Sequence, residues 1–294
     1  MNDALPPLPD VLAGRYRIER LLGAGGMGLV YRARDLLHEQ FDAGSGEIAV
    51  KILGDAFAET PDANALLYRE FALTRHLRHP GVIQVFDFET DAACQRAFIT
   101  MELMQGLPLD RLLCERPLGV PWLELRDIAI ELLDALAHSH GRGVLHGDLK
   151  PSNVMLTEEG GVRLFDFGIG QTMEGVLPGL PQLSRENFKA WTPNYAAPEL
   201  LEGGPFSVAT DVYAVACVLF ELASGKHPFQ RLNAVEARDK KLDRQLKRPK
   251  HLPNVCWPAL QTALALNPKK RTVNAATLLN SVIAAPSAKS WLWF

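Results

Sequence analysis

The hydrophobic period of this sequence changes once, near Leu107, and the change limits the folds that the chain can adopt. Up to about Glu102 the apolar residues form short β-branched or aromatic runs between glycines and charges, which is typical of strands. Farther on, five of them fall at offsets 0, 3, 4, 7 and 11 on one helix face: Leu125, Ile128, Ala129, Leu132 and Leu136. The sequence therefore predicts an α+β fold, with a small strand-rich part followed by a larger, mainly helical part.

The strand-rich part contains about five strand-like runs and one helix. The runs are RYRIERL, GLVYRARD, EIAVKIL, VIQVFDF and AFITMEL. Because Pro61 and Pro80 bound a helical stretch, the helix is predicted from about Asp62 to Arg78. The stretch from Leu36 to Gly46 is longer than a link between two strands requires, and we expect a flexible excursion there.

Two features organise the helical part. The run from Val212 to Leu222 is apolar on nearly all sides, which predicts a helix surrounded by other elements. The stretch between Gly168 and Pro198 has no clear period and is too long for an idle connection, so we expect a functional loop. The two parts join near Leu103 to Gly106, and a cleft is expected between them.

Composition excludes several classes of protein. Hydrophobic residues make up 47% and charged residues 22% of the sequence, which excludes intrinsic disorder, collagen and an extended coiled coil. The net charge of −3 gives no reason to expect nucleic acid as the main partner. The four cysteines form no CxxC pair and have no zinc-like spacing, which favours a reducing, cytoplasmic compartment.

Neither end of the sequence has the pattern of a secretory signal or a membrane helix. The opening MNDALPPLPD carries acid and proline, which predicts a disordered lead-in. The longest apolar run, Val212 to Phe220, has nine residues, so no membrane insertion is expected within this sequence. The ending SAKSWLWF is interpreted as an ordinary tail, and the edge of a membrane anchor in a longer protein is the alternative.

A glycine-rich turn lies between the first two strand runs and comprises Gly23, Ala24, Gly25, Gly26, Met27, Gly28, Leu29 and Val30. Glycine lets backbone N–H groups approach phosphate oxygens because no Cβ intervenes. A tight hairpin needs glycine as well, so the turn alone leaves both interpretations open. No helix follows it, as a dinucleotide fold requires, and no GKS or GKT ends it, as a Walker loop requires.

Lys51 lies near the end of a β-branched strand run and shares one strand face with Ala49. A lysine on a strand is commonly solvated unless a carboxylate pairs with it. Glu70 lies on the apolar face of the predicted helix, where a buried carboxylate is costly without a partner. The sequence therefore predicts a Lys51–Glu70 ion pair under the glycine turn, holding the lysine against two phosphates.

The strongest pattern is His146-Gly147-Asp148-Leu149-Lys150-Pro151-Ser152-Asn153, followed by Asp166-Phe167-Gly168 thirteen residues after Asn153. Two carboxylates and an amide are thereby separated by a short predicted strand pair, Val154 to Leu156 and Val162 to Phe165. Such groups can converge on a divalent metal ion and a nucleophile. Ordinary turns would explain either motif alone but not both together.

Together these motifs resemble the protein kinase superfamily, in order, over about residues 16–284. The segment WTPNYAAPE at 191–199 is similar to the family's TPxYxAPE, Asp211 to its central-helix aspartate, and NPKKR at 267–271 to its late DPxxR. GAGGMGLVYRARD, HPGVIQVFDF and HGDLKPSNVML look most like the eukaryotic-like kinases of bacteria. Lys150 and Thr192 resemble the serine/threonine kinases, which implies Ser and Thr acceptors.

The resemblance implies a bilobal fold. A small β-rich N-lobe with one regulatory helix would span residues 13–102, a hinge 103–106 and a larger, mainly α-helical C-lobe 107–285. Residues 1–12 would be the lead-in and residues 286–294 the tail. Protein substrates are the implied partners, and the oligomeric state is left open.

The resemblance also implies a catalytic site around one magnesium nucleotide. Asp148, next to Lys150, would orient a substrate hydroxyl and accept its proton, while Asn153 and Asp166 would hold Mg²⁺, with Mn²⁺ as an alternative. Lys51, paired with Glu70, would bind the α- and β-phosphates of ATP. The implied nucleotide-binding residues are Leu22, Gly23, Ala24, Gly25, Gly26, Met27, Gly28, Val30, Ala49, Lys51, Met101 (at the gatekeeper position), Glu102 and Leu103. A pair between Glu199 and Arg271 would tie the activation segment to the C-lobe.

The sequence departs from the family at Gly147, where most members have arginine. The usual arginine binds a phosphorylated residue of the activation loop. A phosphate on Thr172 or Ser184 would lack that partner, so we expect activity to depend weakly on activation-loop phosphorylation. Autophosphorylation is implied by the resemblance, with Thr172, Ser184 and Thr192 as the nearest hydroxyls, although a structural role is expected for Thr192.

Two alternatives stay open. The HGD triplet also resembles the brake motif of small-molecule phosphotransferases such as aminoglycoside kinases, although the full glycine turn, Lys150 and the APE segment argue against them. A catalytically silent kinase-like scaffold is the second alternative, and the complete set of implied catalytic residues argues against it.

Two groups of residues are expected to have ordinary roles. His138 and His140 point apart on a helix and are poorly placed to share a metal ion, and His146 is expected to pack as a structural residue. Residues 236–250 contain seven basic and three acidic side chains. A solvated surface is the expected role of that stretch, with a docking surface for an acidic partner as the alternative.

Overall fold

The protein is described here by a computed structural model, in which residues 8–24, 28–41, 46–54, 63–173, 175–181 and 192–287 are placed. The chain folds into two compact units. The first comprises residues 1–78, 83–105 and 177–190, and the second comprises residues 79–82, 106–176 and 191–294. The strand-rich first unit and the mainly helical second unit confirm the α+β prediction.

A six-stranded antiparallel sheet forms most of the described part of the first unit, in the order β1-β2-β3-β4-β6-β5. The five predicted strand runs are all present, and β1 precedes them. The strands are β1 (Val11–Leu12), β2 (Tyr16–Ala24), β3 (Gly28–Asp35), β4 (Glu47–Leu53), β5 (Val85–Asp91) and β6 (Arg96–Glu102).

Strand β1 corrects the end of the predicted disordered lead-in, residues 11–12 of residues 1–12. Leu12 is fully buried beside Tyr16, and Ile18 donates a backbone hydrogen bond to Asp10 at 2.8 Å. Burial of a leucine side chain contributes about 1.5–3 kcal/mol, which outweighs the disorder that acid and proline favour locally. Residues 1–7 lie outside the described residues.

The central strand β4 is buried on both faces. Ile48, Val50 and Ile52 point into one core, which also contains Phe98 and Ala33. Side chains alternate along a strand, so Ala49 and Lys51 face the opposite side. Lys51 therefore lies on the face opposite the apolar core that Val50 and Ile52 join, and it is buried on that face.

The described part of the first unit contains two helices, and one of them was not predicted. The helix α1 (Leu36–Gln40) is capped by the Asp35 side chain, which accepts a hydrogen bond from Leu37 N, so the flexible excursion expected from Leu36 is wrong for these residues. Residues 42–45 lie outside the described residues. The helix α2 (Ala63–His76) confirms the predicted helix over the described residues and ends two residues earlier than predicted.

The described part of the second unit is mainly helical and contains several short strands. The helices are α3 (Leu109–Glu115), α4 (Trp122–Gly141), α5 (Pro198–Leu201), α6 (Val208–Ser224), α7 (Ala234–Asp239), α8 (Trp257–Ala263) and α9 (Ala275–Ile283). The strands are β7 (Gly106–Pro108), β8 (Val144–Leu145), β9 (Val154–Thr157), β10 (Val162–Leu164) and β11 (Gln171–Thr172). Strands β9 and β10 pair antiparallel, as predicted, and β8 pairs with β11.

Helix α6 forms the centre of the second unit. Every residue from Thr210 to Ala223 is buried, which confirms the prediction of a surrounded helix. Ser207 caps its N-terminus, and Gly225 ends it with a φ of 71°, a left-handed conformation that glycine adopts without strain. The apolar face predicted for α4 is buried as well, and α4 packs against α6 and α9.

None of the helices among the described residues combines the length and the apolar composition that crossing a membrane would require.

Candidate active site

The glycine-rich turn connects β2 to β3 in the first unit. Gly23 pairs with Val30 across the two strands, and Ala24 pairs with Leu29. A Cβ on Gly28 would lie 2.4 Å from the backbone oxygen of Ile52, so Gly28 is required by the close approach of β4. Leu22 is on the exposed part of β2. The predicted residues 25–27 (Gly25, Gly26 and Met27) lie outside the described residues.

The predicted Lys51–Glu70 ion pair is present in the first unit. Lys51 Nζ lies 2.6 Å from Glu70 Oε1 and 2.7 Å from Oε2, and each side chain is only 10% exposed. Thr74 donates its hydroxyl to the Glu70 backbone oxygen at 2.8 Å. Because a charge left alone in a buried position is costly, each partner fixes the other in place.

The residues expected around a nucleotide base continue the face of the sheet that carries Lys51. Ala49 pairs with Met101 across β4 and β6, and both are buried. The next residue, Glu102, accepts a hydrogen bond from the Gln84 backbone at 2.7 Å, and Leu103 follows it. The structure thus places Ala49, Met101 and Glu102 on neighbouring strands of one sheet, with Leu103 directly after the second strand.

In the second unit, the buried carboxylate of Asp211 fixes the backbone that leads to Asp148. It accepts hydrogen bonds from the backbone N–H of His146 at 2.8 Å and of Gly147 at 3.0 Å, and it lies 3.0 Å from His140 Nε2. Burial raises the pKa of the Asp211 carboxyl, but the hydrogen bonds and the nearby histidines outweigh burial and lower it overall. The carboxylate is therefore ionised and holds two successive backbone groups.

Asp148 is held by two donors at the end of this loop. Its Oδ1 accepts a hydrogen bond from Thr192 N at 2.8 Å, and its Oδ2 contacts Lys150 Nζ. Lys150 also donates to the Thr192 hydroxyl at 2.8 Å. The Thr192 hydroxyl is thus engaged with Lys150, which supports the structural role expected for it. The arrangement fixes one carboxylate and an ammonium side by side.

Asn153 and Asp166 supply oxygen donors in the same unit. Asn153 donates its Nδ2 to the Asp148 backbone oxygen at 2.9 Å, which leaves its Oδ1 to act as an acceptor. Asp166 has a φ of 67°, a left-handed conformation that costs a non-glycine residue about 1–3 kcal/mol. Amide and carboxylate oxygens are ligands that Mg²⁺ prefers, so this donor set fits that ion.

The histidines have the separate roles expected of them. His146 is fully buried, its ring packs 4.7 Å from the Phe167 ring, and its Nε2 lies 3.1 Å from the Phe165 oxygen. His140 contacts Asp211, whereas His138 packs against His79. His138 and His140 therefore have different partners and do not share a site.

The predicted Glu199–Arg271 pair is present in the second unit. Arg271 Nη1 lies 2.6 Å from Glu199 Oε1 and 2.8 Å from the Ala209 oxygen, and Nη2 donates to the Ala265 oxygen at 2.9 Å. The guanidinium also lies over the Tyr213 ring, 5.0 Å from its centre. One arginine thus joins the start of α5 to α6 and to Ala265, two residues after the end of α8.

The segment from Thr192 to α5 is fixed by residues that the sequence analysis missed. The Tyr195 hydroxyl donates to Glu221 at 2.5 Å, and Arg231 contacts the same carboxylate at 2.9 Å. His227 Nε2 lies 2.9 Å from the Asn194 oxygen. Glu221 could have been noticed, because it is a carboxylate inside an otherwise apolar helix and needs partners there.

Acid should destabilise the second unit through His227. Burial lowers the pKa of this imidazole to about 4, and its Nδ1 accepts hydrogen bonds from Phe229 N and Arg231 N at 3.2 Å, which only the neutral ring can do. The unfolded chain binds the proton below a pKa of about 6.5, so unfolding free energy should fall between about pH 6.5 and 4, by up to ~1.4 kcal/mol per pH unit.

Chemical denaturation at several pH values measures this dependence. His227→Gln keeps one donor and one acceptor but does not titrate, so its unfolding free energy should vary less with pH. His38→Gln, at an exposed position of the first unit, is the control. An unchanged pH dependence in His227→Gln would contradict the prediction.

The basic stretch at 236–250 is solvated over most of its length, as expected. Lys240, Lys241, Lys247 and Lys250 are exposed, and Arg238 pairs with Glu202. Docking of an acidic partner there stays a prediction.

The chain was compared with known protein families and relatives. The family model described as "Protein kinase domain" matches residues 16–283. The serine/threonine-protein kinase PkaA of Streptomyces coelicolor is 33% identical over 268 residues, 88% of this chain and 48% of that protein. The serine/threonine-protein kinase pkn3 of Myxococcus xanthus is 34% identical over 277 residues, 90% of this chain and 48% of that protein.

A third relative, the serine/threonine-protein kinase PknA of Mycobacterium tuberculosis, is 30% identical over 292 residues, 97% of this chain and 64% of that protein. The chain thus spans 48–64% of the length of these three relatives. The match extends through both units, including the Lys51–Glu70 pair and the loop around Asp148. On this evidence the chain belongs to the protein kinase family.

Proposed function

We propose that this chain is an ATP- and Mg²⁺-dependent serine/threonine protein kinase, with one kinase domain over residues 13–285. The observation that carries the proposal is the environment of Asp148. Its carboxylate is held by Thr192 N and Lys150 Nζ, and the oxygen donor Asn153 is hydrogen-bonded to its backbone. A fixed carboxylate beside a cation is the arrangement that phosphoryl transfer to a hydroxyl needs.

Each residue of the proposed site has its own role in phosphoryl transfer. Asp148 accepts a hydrogen bond from the substrate hydroxyl and takes its proton as the oxygen attacks the γ-phosphorus of ATP, from which ADP leaves. Lys150 stabilises the negative charge that develops beside it. Lys51, fixed by Glu70, binds phosphate oxygens of ATP. Asn153 and Asp166 would hold Mg²⁺, which neutralises phosphate charge when bound.

The nucleotide would lie on the sheet face shared by Ala49, Lys51 and Met101, with Glu102 and Leu103 at the base and the turn from Leu22 to Val30 over the phosphates. The four free cysteines, at positions 94, 114, 217 and 256, support a cytoplasmic location. Protein serine and threonine hydroxyls are the proposed acceptors, because the Lys150–Thr192 contact matches the serine/threonine kinase pattern.

One labelling experiment tests the function against both alternatives. The purified chain is incubated with γ-labelled ATP and Mg²⁺, alone, with casein and with an aminoglycoside. Label on serine or threonine of protein is the expected result, and chelation of Mg²⁺ should remove it. Transfer only to the aminoglycoside would identify a small-molecule phosphotransferase, and ATP binding without transfer would identify a scaffold.

We further propose that activity depends only weakly on activation-loop phosphorylation, because Gly147 replaces the usual arginine. Gly147 has a φ of 83°, and a Cβ there would lie 3.0 Å from the Ile169 oxygen and 3.2 Å from the Phe206 ring. A side chain at this position would be strained as well as crowded. Thr172 lies in β11, paired with Val144, and Ser184 lies outside the described residues.

Replacing Thr172 and Ser184 together by alanine should lower the rate on a peptide by less than tenfold, or roughly 1.4 kcal/mol. The measurement is kcat/KM for a peptide, compared with wild-type protein treated with a phosphatase. The phosphatase-treated protein should also stay within tenfold of the untreated protein. A larger loss in both samples would show that a phosphate is required.

A further inference from the structure

A buried arginine on α2 contacts a segment that is far away in the sequence. Arg69 is 7% exposed, and its Nη1 donates to the Pro181 backbone oxygen at 2.8 Å. Pro181 ends the described segment 175–181, which follows the Asp166-Phe167-Gly168 motif along the chain. Both Arg69 and Pro181 belong to the first unit. The contact therefore joins the two parts of the chain within one compact unit.

The burial of Arg69 needs an explanation. It lies three residues after Leu66 and four before Leu73, which are both buried, so it occupies a position on the apolar stripe of α2. Burial lowers the pKa of the guanidinium, yet arginine stays charged in proteins. An apolar residue would fill this position without the cost of desolvating a charge. The hydrogen bond to a backbone carbonyl partly offsets that cost and indicates a structural role for the arginine.

Arg69 is the immediate neighbour of Glu70. Glu70 binds Lys51 Nζ with both carboxylate oxygens, so a small rotation or shift of α2 would lengthen both contacts. A hydrogen bond from Arg69 to a carbonyl outside the helix resists such a rotation. The acceptor is a backbone oxygen, which needs no phosphate to be present.

We propose that Arg69 is a positioning residue for phosphoryl transfer: by binding the Pro181 carbonyl, its guanidinium ties the segment 177–181 to α2 and holds Glu70 against Lys51. The inference rests on the proposed kinase function and adds a residue that touches neither substrate nor nucleotide. It also gives a physical reason for the weak dependence on phosphorylation, because the tie forms through unmodified backbone.

The activity test uses Arg69→Met, which keeps the length of the side chain but removes every donor. Its kcat should fall about tenfold while KM for the peptide changes less than twofold, because Glu70 acts on the nucleotide and not on the peptide. Arg69→Lys keeps a cationic donor and should recover at least a third of the wild-type kcat. Arg75→Met, at an exposed position of the same helix, is the matched control and should keep the wild-type rate.

A double-variant comparison tests whether Arg69 acts through Glu70. In the Glu70→Gln background, adding Arg69→Met should change kcat by less than twofold, since the interaction that Arg69 supports is already lost. A further tenfold loss in that background would overturn the proposed coupling. An unchanged kcat in Arg69→Met alone would overturn the proposal as a whole.

Hydrogen exchange provides a test that does not need activity. The amides of Gly175, Val176, Leu177, Gly179 and Leu180 should exchange faster in Arg69→Met than in wild type or Arg75→Met, while α6 of the second unit keeps its exchange rate. If wild type transfers no phosphate but the exchange difference is present, the kinase function fails and the tie is retained. If Arg69→Met does not fold, the Arg69→Lys variant is used in its place. Amide exchange rates and a kcat that both stay within twofold of wild type would support a contact that any cation can make. Faster amide exchange without a loss of kcat would overturn the positioning role.

Discussion

Asp148→Asn should lower kcat for peptide phosphorylation about a thousandfold and leave the fold intact, within the range that removal of a general base produces. Asparagine can still accept the hydrogen bond from Thr192 N through its Oδ1. Its amide nitrogen would then face Lys150 Nζ, so two donors would meet where a carboxylate oxygen now accepts. The variant therefore removes both the proton acceptor and the group that orients the substrate hydroxyl.

Steady-state rates with labelled ATP measure this effect, and thermal unfolding checks the fold. Asp127→Asn is the control, because Asp127 is an aspartate with a 74% exposed side chain in the same unit. It should keep the wild-type rate. If Asp148→Asn retained more than a tenth of the wild-type kcat, Asp148 would not be the base.

Arg271→Met should destabilise the second unit by about 3–5 kcal/mol, the usual cost of leaving one partner of a buried ion pair alone. The Arg271 side chain is fully buried. Without it, the Glu199 carboxylate and the backbone oxygens of Ala209 and Ala265 would lose their hydrogen-bond donor. The methionine fills part of the volume, so the loss comes mainly from the unpaired polar groups.

Urea denaturation followed by tryptophan fluorescence measures the loss, because both described tryptophans, Trp122 and Trp257, lie in the second unit. The double variant Arg271→Met with Glu199→Gln should recover part of the stability, since no charge is then left alone. A loss below about 1 kcal/mol in the single variant would show that the pair is as weak as an exposed one.

The parts of this structure that sequence could predict are those with a local signature. The buried face of α4 follows from the spacing of its apolar residues, because a helix turns once every 3.6 residues. The burial of α6 on all sides follows from its nearly continuous run of apolar residues. Glu70 was found since a carboxylate on an apolar face requires a partner. Asp148, Asn153 and Asp166 could be proposed as site residues because their motifs lie close together in the sequence, and their roles stay predictions.

The missed features depend on a strand pairing and on a hydrogen-bond partner that no residue type in the sequence marks. Strand β1 is two residues long and forms only because Val11 and Leu12 meet Arg17 and Tyr16 across a turn. Arg69 satisfies the same rule as Glu70, a charge on an apolar helix face, but its acceptor is a backbone carbonyl and no residue type marks that. Arg69 could have been predicted in the same way as Glu70, because both are charged residues on the apolar face of α2.

The attachment of the Asp148 loop to Asp211 has a consequence for turnover. Asp211 lies in the most deeply enclosed helix of its unit, and that helix holds the main chain of the two residues before Asp148. The Asp148 carboxylate, which is the base in the proposed function, is therefore set in place once, when the polypeptide folds. Each catalytic cycle begins with this group already aligned, so no free energy of substrate binding is needed to arrange it.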